Sequence, residues 1–260
     1  DSSPFEEFTE IESQKIRVLY CGNFGNMHDS ATIFNYLKNN SPEGIEFLFH
    51  CSGPKRKSLE DFRDSQIYTN ASSNSADACL KVADGLDHKD WAQTMKSAQI
   101  ALVTMSEGSE NVVMPSKTYS AMMAGQAILA IAPEDSDLVD LIKQTECGWW
   151  VNPGDINKLK DCIQEICQNH KAVTTCRKNA FNSAHESFGQ DQLAEKWLEV
   201  LNKSPGIDAL YPKDHWLHNE EKFDKSISSD FISIVAALAG ILSRISEVFF
   251  IFVPHTGQIN

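Results

Sequence analysis

Between Lys15 and about Glu186, short apolar runs alternate with helical patterns, and few folds accommodate that order. The runs "IRVLYC" (16–21), "IEFLFHC" (45–51), "IALVTM" (100–105) and "AILAIA" (127–132) lack the polar alternation of a half-exposed strand. They predict strands buried on both faces, which is the habit of parallel sheets. "ACLKVADGL" (78–86) and "GWWVN" (148–152) bring the count to about six, the last as a sheet-edge strand whose two tryptophans straddle both faces. Between them lie helical segments: one with Ile33, Phe34 and Leu37 on a single face, "KSLEDFRD", "HKDWAQTMKSA" and a stretch near 136–145. "DINKLKDCIQEICQNH" follows with Asp155 as N-cap, then helices near 171–187 and 190–203. Right-handed crossovers turn this order into an α/β, doubly wound, Rossmann-like, mainly parallel sheet, here with a C-terminal helical extension. In such sheets ligands bind beyond the carboxyl ends of the strands, where the winding reverses. The loops after the strands are therefore where chemistry is expected.

Past Leu201 the pattern stops. Residues 204–230 are polar and broken by Pro205, Gly206 and Pro212, as in a linker. Residues 231–253, "FISIVAALAGILSRISEVFFIFV", form an apolar helix candidate with Ser233, Gly240, Arg244 and Glu247 on one narrow face. Its length could span a bilayer, but two charges at that depth are costly. A helix lying in a membrane interface or packed against protein fits the stripe better; the start of a further domain is a third reading. The expected organisation is a linker remnant at 1–14, a ligand-binding domain at 15–203, a linker at 204–230 and this amphipathic helix. Residue 1 is Asp, which raises the expectation that the sequence is a fragment or a processed piece.

A formal charge of −13 offers no basic patch for nucleic acid and speaks against simple adsorption to anionic lipid. The seven cysteines are odd in number and none form Cys-x-x-Cys, so reduced thiols in a cytoplasmic protein are expected. No His/Cys spacing suits zinc, and Glu134, Asp135 and Asp137 read as a solvated helix start rather than a metal site. No cofactor is expected.

Two loops stand out. "YCGNFGNMHDS" ends the first strand with Gly22, Asn23 and Gly25 in a Gly-x-x-Gly turn that lets a ligand approach the backbone. It is not Gly-x-Gly-x-x-Gly, and no acidic residue clearly ends the second strand, so a plain NAD site is not expected. His28 is either a polar group facing an acceptor or a capping residue. The second loop, "NVVMPSKTYSAMMAGQAILAI", sets Pro115 at a helix start, where no N–H donor is needed. Ser116, Lys117 and Thr118 would then bring N–H groups, a hydroxyl and an ammonium toward one point, suiting a diphosphate. The bland alternative is a helix cap with a solvated lysine.

With these residues in place, the chain resembles the C-terminal half of a GT-B fold, retaining bacterial glycosyltransferase (glycosyl transferases group 1), in the branch similar to L-fucosamine transferase. The matching stretches are "VLYCGNFGNMHD", "IEFLFHCSGPKRKSLEDF", "AQIALVTM", "VVMPSKTYSAMMAGQAILAI" and "CGWWVNPGDINKLKDCI", in family order. The resemblance implies a UDP-sugar bound here and an acceptor glycan or lipid-linked sugar bound by an N-terminal domain, with chemistry between them and no essential metal. It places Gly22, Asn23 and Gly25 on the sugar-phosphate side, and Pro115, Ser116, Lys117 and Thr118 around the diphosphate. Many relatives carry two glutamates, the second five residues before the helix glycine. Here Ser120 and, eight residues earlier, Val112 take those positions, with Glu107 and Glu110 as nearby substitutes. Ser120 keeps at most a weaker ribose contact, and no catalytic residue is assigned. The expected function is donor binding for glycosyl transfer in cell-surface polysaccharide synthesis, in the cytoplasm or at the cytoplasmic face of the membrane. The alternatives are a non-catalytic interaction or membrane-docking module and, less favoured, half of a sugar-nucleotide epimerase.

Overall fold

A computed structural model describes residues 15–187, apart from 41, 70–78 and 111–113. The chain divides into two compact units, 1–189 and 190–260, and the second lies outside the described residues. So do the expected helices at 190–203 and 231–253, and Val112.

Six strands form one sheet: β1 (Ile16–Asn23), β2 (Ile45–Ser52), β3 (Leu80–Ala83), β4 (Ile100–Thr104), β5 (Ala127–Ile131) and β6 (Gly148–Val151). The order is β3-β2-β1-β4-β5-β6 and every pairing is parallel. The chain thus winds outward from β1 in one direction, crosses back at β4, and winds outward again. The helices are α1 (Ala31–Asn39), α2 (Arg56–Thr69), α3 (His88–Ser97), α4 (Lys117–Met123), α5 (Asp137–Thr145), α6 (Ile156–Gln168) and α7 (His170–Ser187).

The two faces carry separate cores. One joins Val18, Tyr20, Phe47, Phe49, Leu102 and Leu129 to apolar residues of α1, α2 and α6. The other joins Leu19, Ala101, Val103, Ile128 and Ala130 to α3, α4, α5 and the end of α7. β4 and β5 are buried at every residue, which is why their sequences are unbroken apolar runs. Each Leu, Ile or Phe removed from water in this way contributes about 1.5–3 kcal/mol. At the edge, Trp149 packs on the first core and Trp150 on the second, so the strand spans both faces. Gly148 is obligatory there: a Cβ would sit 1.8 Å from the Ile128 carbonyl oxygen.

The helix starts follow capping chemistry. Asp155 accepts from the Lys158 N–H at 2.9 Å, and Ser136 caps α5 through the Val139 N–H. At α1 the cap comes from Asp29, whose Oδ1 accepts from the Thr32 N–H at 3.0 Å. All seven cysteines are free, and burial pushes each thiol above its ordinary range. Among the described residues no helix is long and apolar enough to cross a membrane.

Candidate functional site

The winding reverses between β1 and β4, and there the sheet opens. β1 pairs with β2 over eight residues but with β4 only at Val18–Ile100 and Leu19–Ala101. Beyond that point Tyr20 and Cys21 on one side, and Leu102 to Thr104 on the other, have no strand partner across the gap. Side chains fill it instead.

His28 bridges it from the loop after β1. Its Nδ1–H donates to the Thr104 carbonyl oxygen at 2.7 Å, satisfying a backbone acceptor that β1 no longer reaches. Burial, Lys117 and Lys55 push its pKa down to about 4, opposed only by that hydrogen bond, so the ring is neutral and Nε2 carries a lone pair. The loop itself is held from two neighbours. Lys55, just after β2, donates to the carbonyl oxygens of His28 (2.5 Å) and Asn26 (3.2 Å). The Ser106 N–H, just after β4, donates to the Met27 carbonyl oxygen at 2.8 Å.

Lys117 fills the gap from the other side. It opens α4 on one face of the sheet, and its ammonium reaches Tyr20, whose ring belongs to the core of the opposite face. Nζ donates to Tyr20 Oη at 2.5 Å and lies 3.9 Å from the ring centroid. Burial pushes the lysine pKa down to about 7, with the Cys21 and Cys51 sulfurs acting in the opposite direction. Beside its stem is a small gap of about 10 Å³ bounded by Leu19, Cys21, Ala101, Val103 and Ala121. The larger hollow, about 400 Å³, lies between α1 and α6 by Tyr36, Asn40 and Lys160, where α1 leads into β2, at the amino end of the sheet.

The other expected residues are placed as follows. Gly22, at φ +127°, and Asn23 are exposed at the end of β1, and Gly25 is half-buried in the next turn, where its carbonyl oxygen accepts from the His28 N–H. Gly53, after β2, presses on this turn so closely that a Cβ would lie 2.1 Å from Asn23 Oδ1. Pro115 is buried, and its carbonyl oxygen accepts from the Thr118 N–H at 3.0 Å. Ser116 is exposed, Ser120 is half-buried, and the Thr118 hydroxyl is buried without a hydrogen-bond partner. Lys117 and the Gly22–Asn23 turn therefore meet through Tyr20. The ammonium and hydroxyls of residues 116–118, by contrast, point in different directions. Glu107 is exposed, while Glu110 Oε2 is buried and unpartnered.

Sequence reasoning missed Tyr20, Lys55 and Thr104. Tyr20 had a signal, since it is the one hydroxyl in the strand run "IRVLYC". Lys55 and Thr104 had none, because their partners are 27 and 76 residues away.

No protein-family model matches the chain. It is 35% identical over 173 residues to the probable glycosyltransferase WbjE of Pseudomonas aeruginosa, covering 65% of this chain and 40% of that protein. Its fold matches Anabaena HepE solved with UDP (TM-score 0.59, 14% identity), covering 78% of this chain and 54% of HepE. It also matches WaaG, a glycosyltransferase involved in lipopolysaccharide biosynthesis (TM-score 0.51, 16% identity), covering 76% of this chain and 50% of WaaG. The chain is thus similar in sequence to a probable glycosyltransferase over part of its length and shares its fold with solved glycosyltransferases. The described unit has the fold of the GT-B C-terminal domain, and the chain spans about half or less of each relative's length. In this GT-B domain the β1–β4 gap is the topological switch point, the usual place for a ligand in an open α/β sheet.

Proposed function

We propose that the described unit binds a nucleoside-diphosphate sugar, with UDP as carrier, at the carboxyl ends of β1 and β4. In this reading it is the donor half of a glycosyltransferase of cell-surface polysaccharide synthesis. The observation that carries the reading is Lys117, a deeply set cation at the switch point beside an exposed glycine turn. A lone ammonium kept in a low-dielectric gap interacts strongly with an arriving diphosphate, because little water screens it. The same charge would offset the negative charge that grows on UDP as the glycosidic bond breaks. HepE solved with UDP and with UDP-glucose shares this fold and supports UDP as the carrier. The kinship with WbjE supports glycosyl transfer.

Titrating the chain with UDP should show saturable binding that Lys117→Ala weakens at least tenfold. No heat of binding at millimolar UDP refutes the reading. A second reading, a donor-binding module without turnover, is favoured by Ser120, an uncharged residue where the family resemblance calls for a carboxylate. Slow hydrolysis of a UDP-sugar by the chain would count against it.

A further inference from the structure

We propose that Tyr20 is a positioning residue. Its hydroxyl tethers the Lys117 ammonium in the β1–β4 gap and ties it to the Gly22–Asn23 turn. The tether itself rests on contacts within this chain; its consequence for nucleotide binding rests on the reading above.

The direction of the hydrogen bonds leaves one arrangement. Tyr20 Oη has a single hydrogen, and it goes to the Asn23 carbonyl oxygen at 2.7 Å. An ammonium can only donate, so Lys117 Nζ must use an oxygen lone pair, which it does at 2.5 Å. The result is a one-way chain from Lys117 through Tyr20 to the backbone of Asn23. It joins α4, across the gap, to the last residue of β1.

The ring cannot move to follow its partners. Tyr20 is wholly buried, with Phe24 at 4.9 Å, Phe49 stacked at 5.3 Å and His28 edge-on at 5.7 Å between centroids. A purely structural role would be served by phenylalanine, the residue type at 24, 47 and 49. A buried phenol is costly unless its hydroxyl is hydrogen-bonded, and here both bonds go to the site. The ring face adds a second hold on the ammonium, 3.9 Å from the centroid. Tyr20 thus fixes both the height of the cation in the gap and the shape of the glycine turn beside it. A ligand that draws on Lys117 also acts on Asn23.

Tyr20→Phe in the full chain removes the hydroxyl and keeps the ring. Two readouts test it. In the ligand-free protein, competitive acylation of lysines followed by mass spectrometry gives the pH midpoint for Lys117. Loss of the hydroxyl acceptor should move that midpoint to lower pH by about half a unit or more. With UDP as probe, the dissociation constant should rise about five- to twentyfold. An unmoved midpoint overturns the tether whatever happens with UDP. A moved midpoint with unchanged UDP affinity keeps the tether and overturns its part in nucleotide binding. If the wild-type chain ignores UDP while the midpoint still moves, the tether stands and the nucleotide reading fails. Should Tyr20→Phe fail to fold, Lys117→Met reads the same contact from the other end. It should displace the ring resonances of isotope-labelled Tyr20, and unchanged resonances overturn the tether.

Discussion

The two edges of β1 are built for different purposes. Against β2 the strand keeps register for eight residues, from Ile16–Ile45 to Asn23–Ser52, and aromatic rings stack beneath it. Against β4 it keeps register for two, and beyond them a lysine, a histidine and a tyrosine hydroxyl take over from the backbone. The first edge is closed by hydrogen bonds that any apolar sequence could make. The second is closed by side chains that cost stability to bury. One strand therefore shows where a fold is held and where it is left open for a ligand.

That contrast predicts a graded set of responses. Phe49→Ala, on the closed edge, should cost about 3–5 kcal/mol in urea unfolding; a cost under 1 kcal/mol would mean that the edge is not the stable one. Gly53→Ala forces a side chain at φ +102° and a Cβ 2.9 Å from the Phe24 carbonyl oxygen. It should lose about 1–3 kcal/mol and weaken UDP binding, because the turn it displaces carries Asn23. Lys117→Met should have opposite effects on its two readouts. It should abolish UDP binding and raise stability by about 0.5–2 kcal/mol, the trade expected when a buried charge kept for a site is replaced. A Met variant that binds UDP as well as wild type breaks the comparison outright.

Changing the pH probes the same open edge without a mutation. His28 is held near 4 against an ordinary 6.5, and Lys117 near 7 against 10.5. For both groups the unfolded chain binds the proton more tightly than the folded one. Stability should therefore rise with pH from about 4 to 6.5 through His28, and again from about 7 through Lys117 until about 9, where the raised thiols begin to pull it down. The upper slope should vanish in Lys117→Met. UDP affinity should run the other way and fall as pH climbs past about 7, because the ammonium that attracts the diphosphate loses its proton.

Much of the sheet was legible in the sequence because burial on both faces leaves uninterrupted apolar runs, as in β4 and β5. Even β3, the least obvious of the runs, falls inside the expected 78–86 as Leu80–Ala83. The site was legible only in part. Loop composition points to Gly22, Asn23 and Lys117, since glycine and proline set local backbone geometry. It does not tell where a lysine's four-carbon stem will go. That depends on how early β1 and β4 part, a property of two strands eighty residues apart. The Thr118 hydroxyl, expected to face a ligand, is turned into the protein for the same reason. Side-chain direction follows tertiary packing rather than local pattern.

The raised thiols have a practical consequence. With every cysteine held above the ordinary range, each is less ionised at neutral pH than a free thiol, so alkylating reagents should act slowly. Met27 is exposed in the loop that His28 and Lys55 anchor. A single Met27→Cys substitution would therefore accept a fluorophore in preference to the seven native sulfurs. The domain would then carry its own optical reporter at the lip of the crevice.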